Sequence, residues 1–312
     1  MIRFGAGVAI LAIILWRFDA RPALRVLARE QLRWFLSATA LYLTGLVLSA
    51  WRWQVLTAIL GVRSRFLDCL TYYFVGAFTN LFAPGLVGGD AARAFYLGRK
   101  THRMGEAIAS TMADRGYGLL ALFWLAAAIA ATPAASALPA RVRTPTVAIG
   151  ALTFLAFVAS PLIARMIHLA PRPIRRALGI VAPYLHHPVR LALPIALSLA
   201  LQILIAAGQW MIAIGLGLDA PLSIFLVIVP IANVFASMPV TLGGLGVRET
   251  AYIFLFGMAG IGHNDAIALG LLWFTVTTIA GLTGAIAFLT TDLPPIRGEA
   301  EAKIEEAAAT GV

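Results

Sequence analysis

Two stretches of this chain combine helix-breaking residues with charge in surroundings that are otherwise apolar. Pro84-Gly-Leu-Val-Gly88-Gly89-Asp90-Ala-Ala-Arg93 and Pro239-Val-Thr-Leu-Gly243-Gly244-Leu-Gly-Val-Arg248 share the pattern P-x-x-x-G-G-x-x-x-R with identical spacing, at an offset of 155 residues. Asn80 and Asn233 precede the two prolines, and Glu106-Ala-Ile-Ala and Asp265-Ala-Ile-Ala follow the two arginines. Proline and paired glycines stop a helix, and the next one starts near Asp90 or Leu245 with its first amide N–H groups unpaired. Those donors and the helix dipole suit an anion such as a phosphate, and an arginine alongside suits it further.

Each stretch also carries acid beside base. Asp90 and Arg93 stand at i and i+3, where they can pair on one helical face. Arg248 and Glu249 are adjacent and do not face each other in that way, and a third pair, Asp114 and Arg115, is expected to open a long apolar helix. A plainer reading competes throughout: a glycine pair beside a proline is also what a simple loop looks like, and Arg93 or Arg248 can be an interfacial anchor. Trp51-Arg52-Trp53 reads first as an aromatic belt with a snorkelling arginine, and as a site second.

Other chemistries have no support in the sequence. The five histidines (His102, His168, His186, His187 and His263) lack metal-ligand spacing, and Cys69 is the only cysteine, so no metal and no disulfide framework is expected. No phosphate-binding glycine loop, dinucleotide fingerprint or serine elbow occurs, so no cofactor is expected either. Asp90 or Glu249 acting as acid or base remains an alternative, although general catalysis needs a partner within reach.

The surroundings of these residues are those of a membrane. Of 312 residues 61% are apolar and 12% charged, and the mean hydropathy is +0.89, far from a soluble domain. Apolar stretches long enough to span a bilayer must be helical there, because a helix satisfies its own backbone. The expected fold is therefore all-α: a polytopic helical bundle of about 8–9 spans with internal duplication and Pro/Gly-broken or re-entrant segments. Spans are expected near 2–16, 34–56, 66–84, 107–132, 145–164, 191–216, 222–240, 247–262 and 265–290, the third and eighth being the ones able to re-enter instead. One membrane domain then covers 1–292, with repeat halves at about 34–164 and 190–290, and 293–312 forms a short polar, disordered tail.

The run from Phe4 to Trp16 resembles a signal-peptide core but lacks a small-residue cleavage site, and reads as a retained first span. Between 17 and 33 arginine recurs every fourth residue, as in a basic amphipathic helix on a membrane surface or an ordinary cytoplasmic loop. Further basic clusters at Arg93–Arg103 and Arg165–Arg190 orient the chain with its N-terminus outside and its C-terminus inside. The formal charge of +10 is spread over such short loops, which argues for anionic lipid rather than nucleic acid as the partner. Four crossings lie between the two motifs in this count, which favours a parallel repeat; one re-entrant segment reverses it.

Taken in order, Trp51-Arg52-Trp53, Asn80 to Arg93, Asp114-Arg115 and Pro239 to Glu249 resemble the membrane domain of lysylphosphatidylglycerol synthases and their stand-alone flippase-like relatives, over about residues 5–290. The resemblance implies a bacterial or archaeal cytoplasmic (inner) membrane protein. In the two-domain synthases a soluble domain transfers an aminoacyl group from tRNA, and the membrane domain is associated with moving the modified lipid between leaflets. The chain ends at Val312, so aminoacyl transfer by it is not expected. Counting from Asp265, Trp273-Phe274 stands where the second half should match Asp114-Arg115, so the halves are not functionally equivalent.

The expected function is thus a translocase for a lipid or lipid-linked glycan, not an enzyme, that binds an anionic phosphate-containing headgroup. Its candidate site comprises Asn80, Pro84, Gly88, Gly89, Asp90, Arg93, Asp114, Arg115, Asn233, Pro239, Gly243, Gly244, Arg248 and Glu249. Expected partners are an anionic phospholipid or lipid-linked substrate, membrane lipids and a separate lipid-synthesising enzyme. The alternative is a membrane-embedded enzyme or an accessory subunit of a lipid-modifying or glycosyl-transfer system.

Overall fold

A computed structural model describes residues 32–82, 87–165, 172–186, 188–236 and 247–290. The expected first span, most of the basic segment 17–33, Pro84, the Pro239–Gly244 motif and the polar tail lie outside the described residues.

Every regular element among the described residues is helical: α1 (Leu32–Ile59), α2 (Phe66–Thr79), α3 (Val87–Thr101), α4 (Met104–Ala130), α5 (Ala140–Val158), α6 (Ser160–Arg165), α7 (Arg172–His186), α8 (Ala192–Gly215), α9 (Leu222–Ala236), α10 (Val247–Met258) and α11 (His263–Thr290). Short 3-10 turns at Pro133–Ala135 and Pro188–Leu191 precede α5 and α8. Five helices are long and apolar enough to cross a membrane: α1, α4, α5, α8 with its preceding turn, and α11. At about 1.5 Å per residue, α1 reaches roughly 42 Å, while α2 and α3 reach only roughly 21–23 Å, short of a ~30 Å hydrocarbon core.

The short helices are paired instead. Asp68 of α2 bridges Lys100 of α3 at 2.8 Å, the rings of Tyr72 and Tyr96 stack at 5.7 Å, and Gly76 lies against Arg93. At the far end Asn80 Oδ1 accepts the Gly89 N–H at 2.7 Å. Each step forward along α2 is a step backward along α3, so the two form an antiparallel hairpin whose ends return to one level. In the second half α9 packs on α10, with Phe225 near the start of one against Phe256 near the end of the other, ring centroids 5.1 Å apart. The expected span 66–84 is therefore one arm of a hairpin. Its partner arm, α3, was not expected to enter the bundle, because Asp90, Arg93, Arg99 and Lys100 remove its hydropathic signal.

The order long, short, short, long occurs twice, as α1–α4 and as α8–α11. Both leading helices end alike: Gly61 and Gly217 take positive φ (74° and 79°), and the next amide reaches back to Thr57 O or Ala213 O at 3.0 Å. This is a Schellman stop, which only glycine enters without strain.

The packing exchanges between halves as well. α1 packs on α8, α2 on α11 and α4 on α9, while α1 meets α11 and α4 meets α8. Along the α1–α8 seam Trp34 meets Gly215, Ala38 meets Gly208, Gly45 meets Leu201, and Arg52 bonds Ser198. The corresponding helices thus run antiparallel. Between the two motifs the described long apolar helices are α4, α5 and α8, three where the sequence predicts four crossings.

Two apolar clusters mark the ends of the bundle. One gathers Phe35, Phe225, Tyr252, Phe256 and Trp273; the other gathers Trp53, Leu56, Tyr72, Leu97, Tyr184 and Leu191, with Ala287 and Phe288 of α11 packed on it. Arg33 and the group Arg63, Arg65 and Arg103 lie at opposite ends of α1, since Arg103 Nη1 bonds Gly61 O at 2.9 Å. Arg33 and Arg103 therefore lie toward opposite ends of α1, whereas the basic loops predict one side for both.

Candidate functional site

Helices α3 and α4 bring four of the expected residues to one place, where α1, α2 and α8 complete the constellation. Asp114, on α4, is its centre and is 1% exposed. Its Oδ1 accepts Arg52 Nε at 2.7 Å; its Oδ2 accepts Tyr73 Oη at 2.6 Å and Arg93 Nη1 at 3.0 Å. Arg93 donates its other terminal nitrogen to Asp90 Oδ1, one turn earlier on the same helix. Asp90 Oδ2 in turn accepts Arg115 Nε at 2.6 Å and also pairs with Arg115 Nη2. Arg52 extends the chain to the second half through Nη1 and Ser198 Oγ at 3.0 Å.

Aromatic faces hold the central cation. The Arg93 guanidinium carbon lies 4.1 Å from the Tyr73 ring centroid and 5.2 Å from that of Trp53, so its buried positive charge meets electron-rich faces. Trp53 is itself fixed, its indole N–H donating to Ser110 Oγ at 3.1 Å.

Among the described residues of this constellation, three arginines face two aspartates, one positive charge in excess. A charge placed in the bilayer costs about 2.5–3.5 kcal/mol on insertion scales, and a buried pair repays this only when its geometry is complete. Each carboxylate here receives several charge-assisted donors, which meets that condition. Side-chain exposure rises along the chain of partners, from 2% at Asp114 and 6% at Arg93 to 12% at Asp90 and 28% at Arg115. The accessible end is therefore the Asp90–Arg115 pair.

Of the expected site residues, Asp90, Arg93, Asp114 and Arg115 come together. The i, i+3 pairing of Asp90 with Arg93 is present, whereas Asp114 and Arg115 sit well inside α4 rather than at its opening. Gly88 and Gly89 form the first turn of α3. A Cβ on Gly89 would stand 2.4 Å from Gly76 O, so this glycine is what lets the hairpin arms touch. The first-turn amide of Gly89 is not open to a ligand, since Asn80 caps it.

Asn233 is half-buried in α9. Arg248 and Glu249 lie in the first turn of α10, their side chains outside the described residues, and Pro84, Pro239, Gly243 and Gly244 are outside altogether. The described charges of the constellation belong to the first half, with Ser198 contributed by the second.

Sequence reasoning missed Tyr73 and Ser198 and ranked a site role for Arg52 second to an interfacial one. Arg52 is 4% exposed and Trp53 is fully buried, while Trp51 alone faces outward, so the belt reading of this triplet holds for one residue of three. The helix runs on to Ile59, so Arg52 stands two turns inside its end, whereas the expected end near residue 56 left it within snorkelling reach. In the second half, Trp273 occupies the place matched to Asp114, packing beside Gly208 and edge-on to Tyr42 at 5.4 Å. Close by in sequence to Gly208, the buried Gln209 accepts a hydrogen bond from Tyr252. At the two matched positions the described residues thus show an ionic contact at Asp114 and an aromatic one at Trp273.

These features define a multi-pass helical membrane protein with a charged core at a helical hairpin. The chain belongs to the family described as the lysylphosphatidylglycerol synthase TM region, which matches residues 2–284. It is also similar to a UPF0104 membrane protein of Pyrococcus horikoshii, 24% identical over 112 residues, which is 35% of this chain and 33% of that protein. The matched segment thus spans about a third of the length of that relative. No solved structure matches the chain.

Proposed function

We propose that the protein translocates an anionic lipid or lipid-linked glycan across the cytoplasmic membrane, holding the headgroup phosphate at the Asp90–Arg115 end of the arginine–aspartate chain. The observation that carries this reading is the buried constellation with three arginines to two carboxylates. A phosphate offers the same bidentate acceptor geometry as a carboxylate, so it can take over one or two arginine contacts without leaving a cation unpaired. The aspartates hold the arginines in place between passages. Each carboxylate is occupied by several donors, which favours this role over that of a general acid or base.

Two hairpins entering an inverted bundle support the translocase reading, because inverted repeats with broken helices are a recurrent transporter design. By the positive-inside rule, the end carrying Arg63, Arg65, Lys100 and Arg103 faces the cytoplasm, and the C-terminal end of α11 lies on that side.

Exchange of fluorescent phosphatidylglycerol between leaflets of proteoliposomes tests the proposal. The expected result is exchange faster than in protein-free vesicles and faster than for a zwitterionic analogue. Exchange at the protein-free rate across a panel of anionic headgroups would refute it.

A further inference from the structure

At the open end of the first hairpin the α1–α2 loop and the α3–α4 turn enclose a cavity of about 340 Å³, lined among others by Arg63, Arg65, Asp68, Lys100 and Arg103. It is a separate place from the arginine–aspartate chain and shares none of that chain's residues. Lys100 is already paired with Asp68 at 2.8 Å, and Arg103 is held by Glu106 at 2.7 Å and by the carbonyl of Gly61. Arg63 and Arg65 are exposed, and neither has a carboxylate within ion-pair distance among the described residues. Counting Glu106, four cations face two carboxylates, so the cavity holds two positive charges in excess.

We infer that this cavity is a second, peripheral binding site for a phosphate-bearing anion, in which Arg63 and Arg65 supply the recognition and Lys100 and Arg103 shape the wall. Its size fits a phosphate with a small polar substituent, since ligand sites begin at roughly 300 Å³. Asp68 and Glu106 act in it as clamps: they fix Lys100 and Arg103 as parts of the scaffold and leave the loop arginines to the ligand.

The placement gives the site a purpose. Lys100 lies seven residues after Arg93 on α3, hence on the same face and roughly 10 Å away along the axis. One side of the hairpin therefore carries cations at its mouth and at its inner end, so that an anion bound at the mouth is captured on the way to the buried chain. The inference deepens the translocase reading and rests on it for the identity of the ligand as a lipid; the anion site itself needs only the cavity and its charges.

The test uses the full-length protein in neutral detergent and measures binding of short-chain dioctanoyl phosphatidylglycerol to wild type and to the double variant Arg63→Gln, Arg65→Gln. Affinity is expected to fall roughly tenfold or more in the variant, as two charge-assisted contacts are removed, and to weaken with added salt in wild type. Both residues are exposed, so folding should survive; Arg65→Gln alone serves if the double variant does not elute as a single species. Inorganic phosphate that displaces the lipid shows that the free anion suffices, and phosphate that does not shows that the lipid headgroup is required; either upholds the site.

Unchanged affinity in the variants overturns it. A variant-sensitive site in a protein whose wild type exchanges no lipid would instead sink the translocase reading and leave this one standing.

Discussion

Arg52 of α1 and Asp114 of α4, sixty-two positions apart, meet at 2.7 Å with both side chains almost wholly shielded. Their bond joins the two helices that flank the first hairpin. Through Ser198 it also ties that hairpin's half to α8. Removing the carboxylate leaves two buried guanidinium groups without that partner.

Asp114→Asn is accordingly expected to lower stability by about 3–5 kcal/mol, the range for breaking a buried pair from one side. Thermal unfolding in detergent measures it. The double variant Arg52→Gln, Asp114→Asn should lose less than the sum of the single losses, because the charge balance is partly restored. Strict additivity would mean that the two residues do not act as a pair.

The helix contacts make a second prediction through glycine. A Cβ on Gly284 of α11 would lie 2.0 Å from Phe74 O of α2, whereas one on Gly116 of α4 meets nothing within 4 Å. Gly284→Ala is expected to destabilise by roughly 1–3 kcal/mol, as overpacking does, and Gly116→Ala to be neutral or mildly stabilising. Equal unfolding temperatures for the two variants would contradict the close approach of α2 to α11.

Topology supplies a third. In a Cys69→Ser background, single cysteines at Arg63 and Lys100 should react with an impermeant thiol reagent from the same face of the membrane, and one at Asp219 from the other. Labelling of positions 63 and 100 from opposite faces would mean that α2 crosses the membrane alone and α3 does not bring the chain back.

How much of this was visible in the residues depends on how far apart the partners stand. The Asp90–Arg93 pair follows from a one-turn spacing, and the glycines at 88 and 89 announce a break by their chemistry. The helical class follows from composition, since an apolar chain in lipid has little other choice. Nothing local links Arg52 to Asp114 or Tyr73, and a Trp-Arg-Trp triplet looks the same at an interface as inside a bundle.

The hairpin was hidden for a related reason. A charged arm such as α3 is stable there only because Asp90 of its own helix and Tyr73, Trp53 and Asp114 of three others receive its arginine. Hydropathy scores each segment alone and so discards an arm whose cost is met by its neighbours.

The central claim, that an anionic headgroup comes to the arginine–aspartate chain, is tested most directly by locating a bound lipid. A phosphatidylglycerol analogue with a photoreactive group beside its phosphate should, on irradiation in vesicles, label peptides of α3 and α4 around Asp90, Arg93 and Arg115, and excess unlabelled phosphatidylglycerol should suppress that labelling. Label confined to outward-facing residues such as Leu152, Leu155 and Phe254, and indifferent to competitor, would contradict the account.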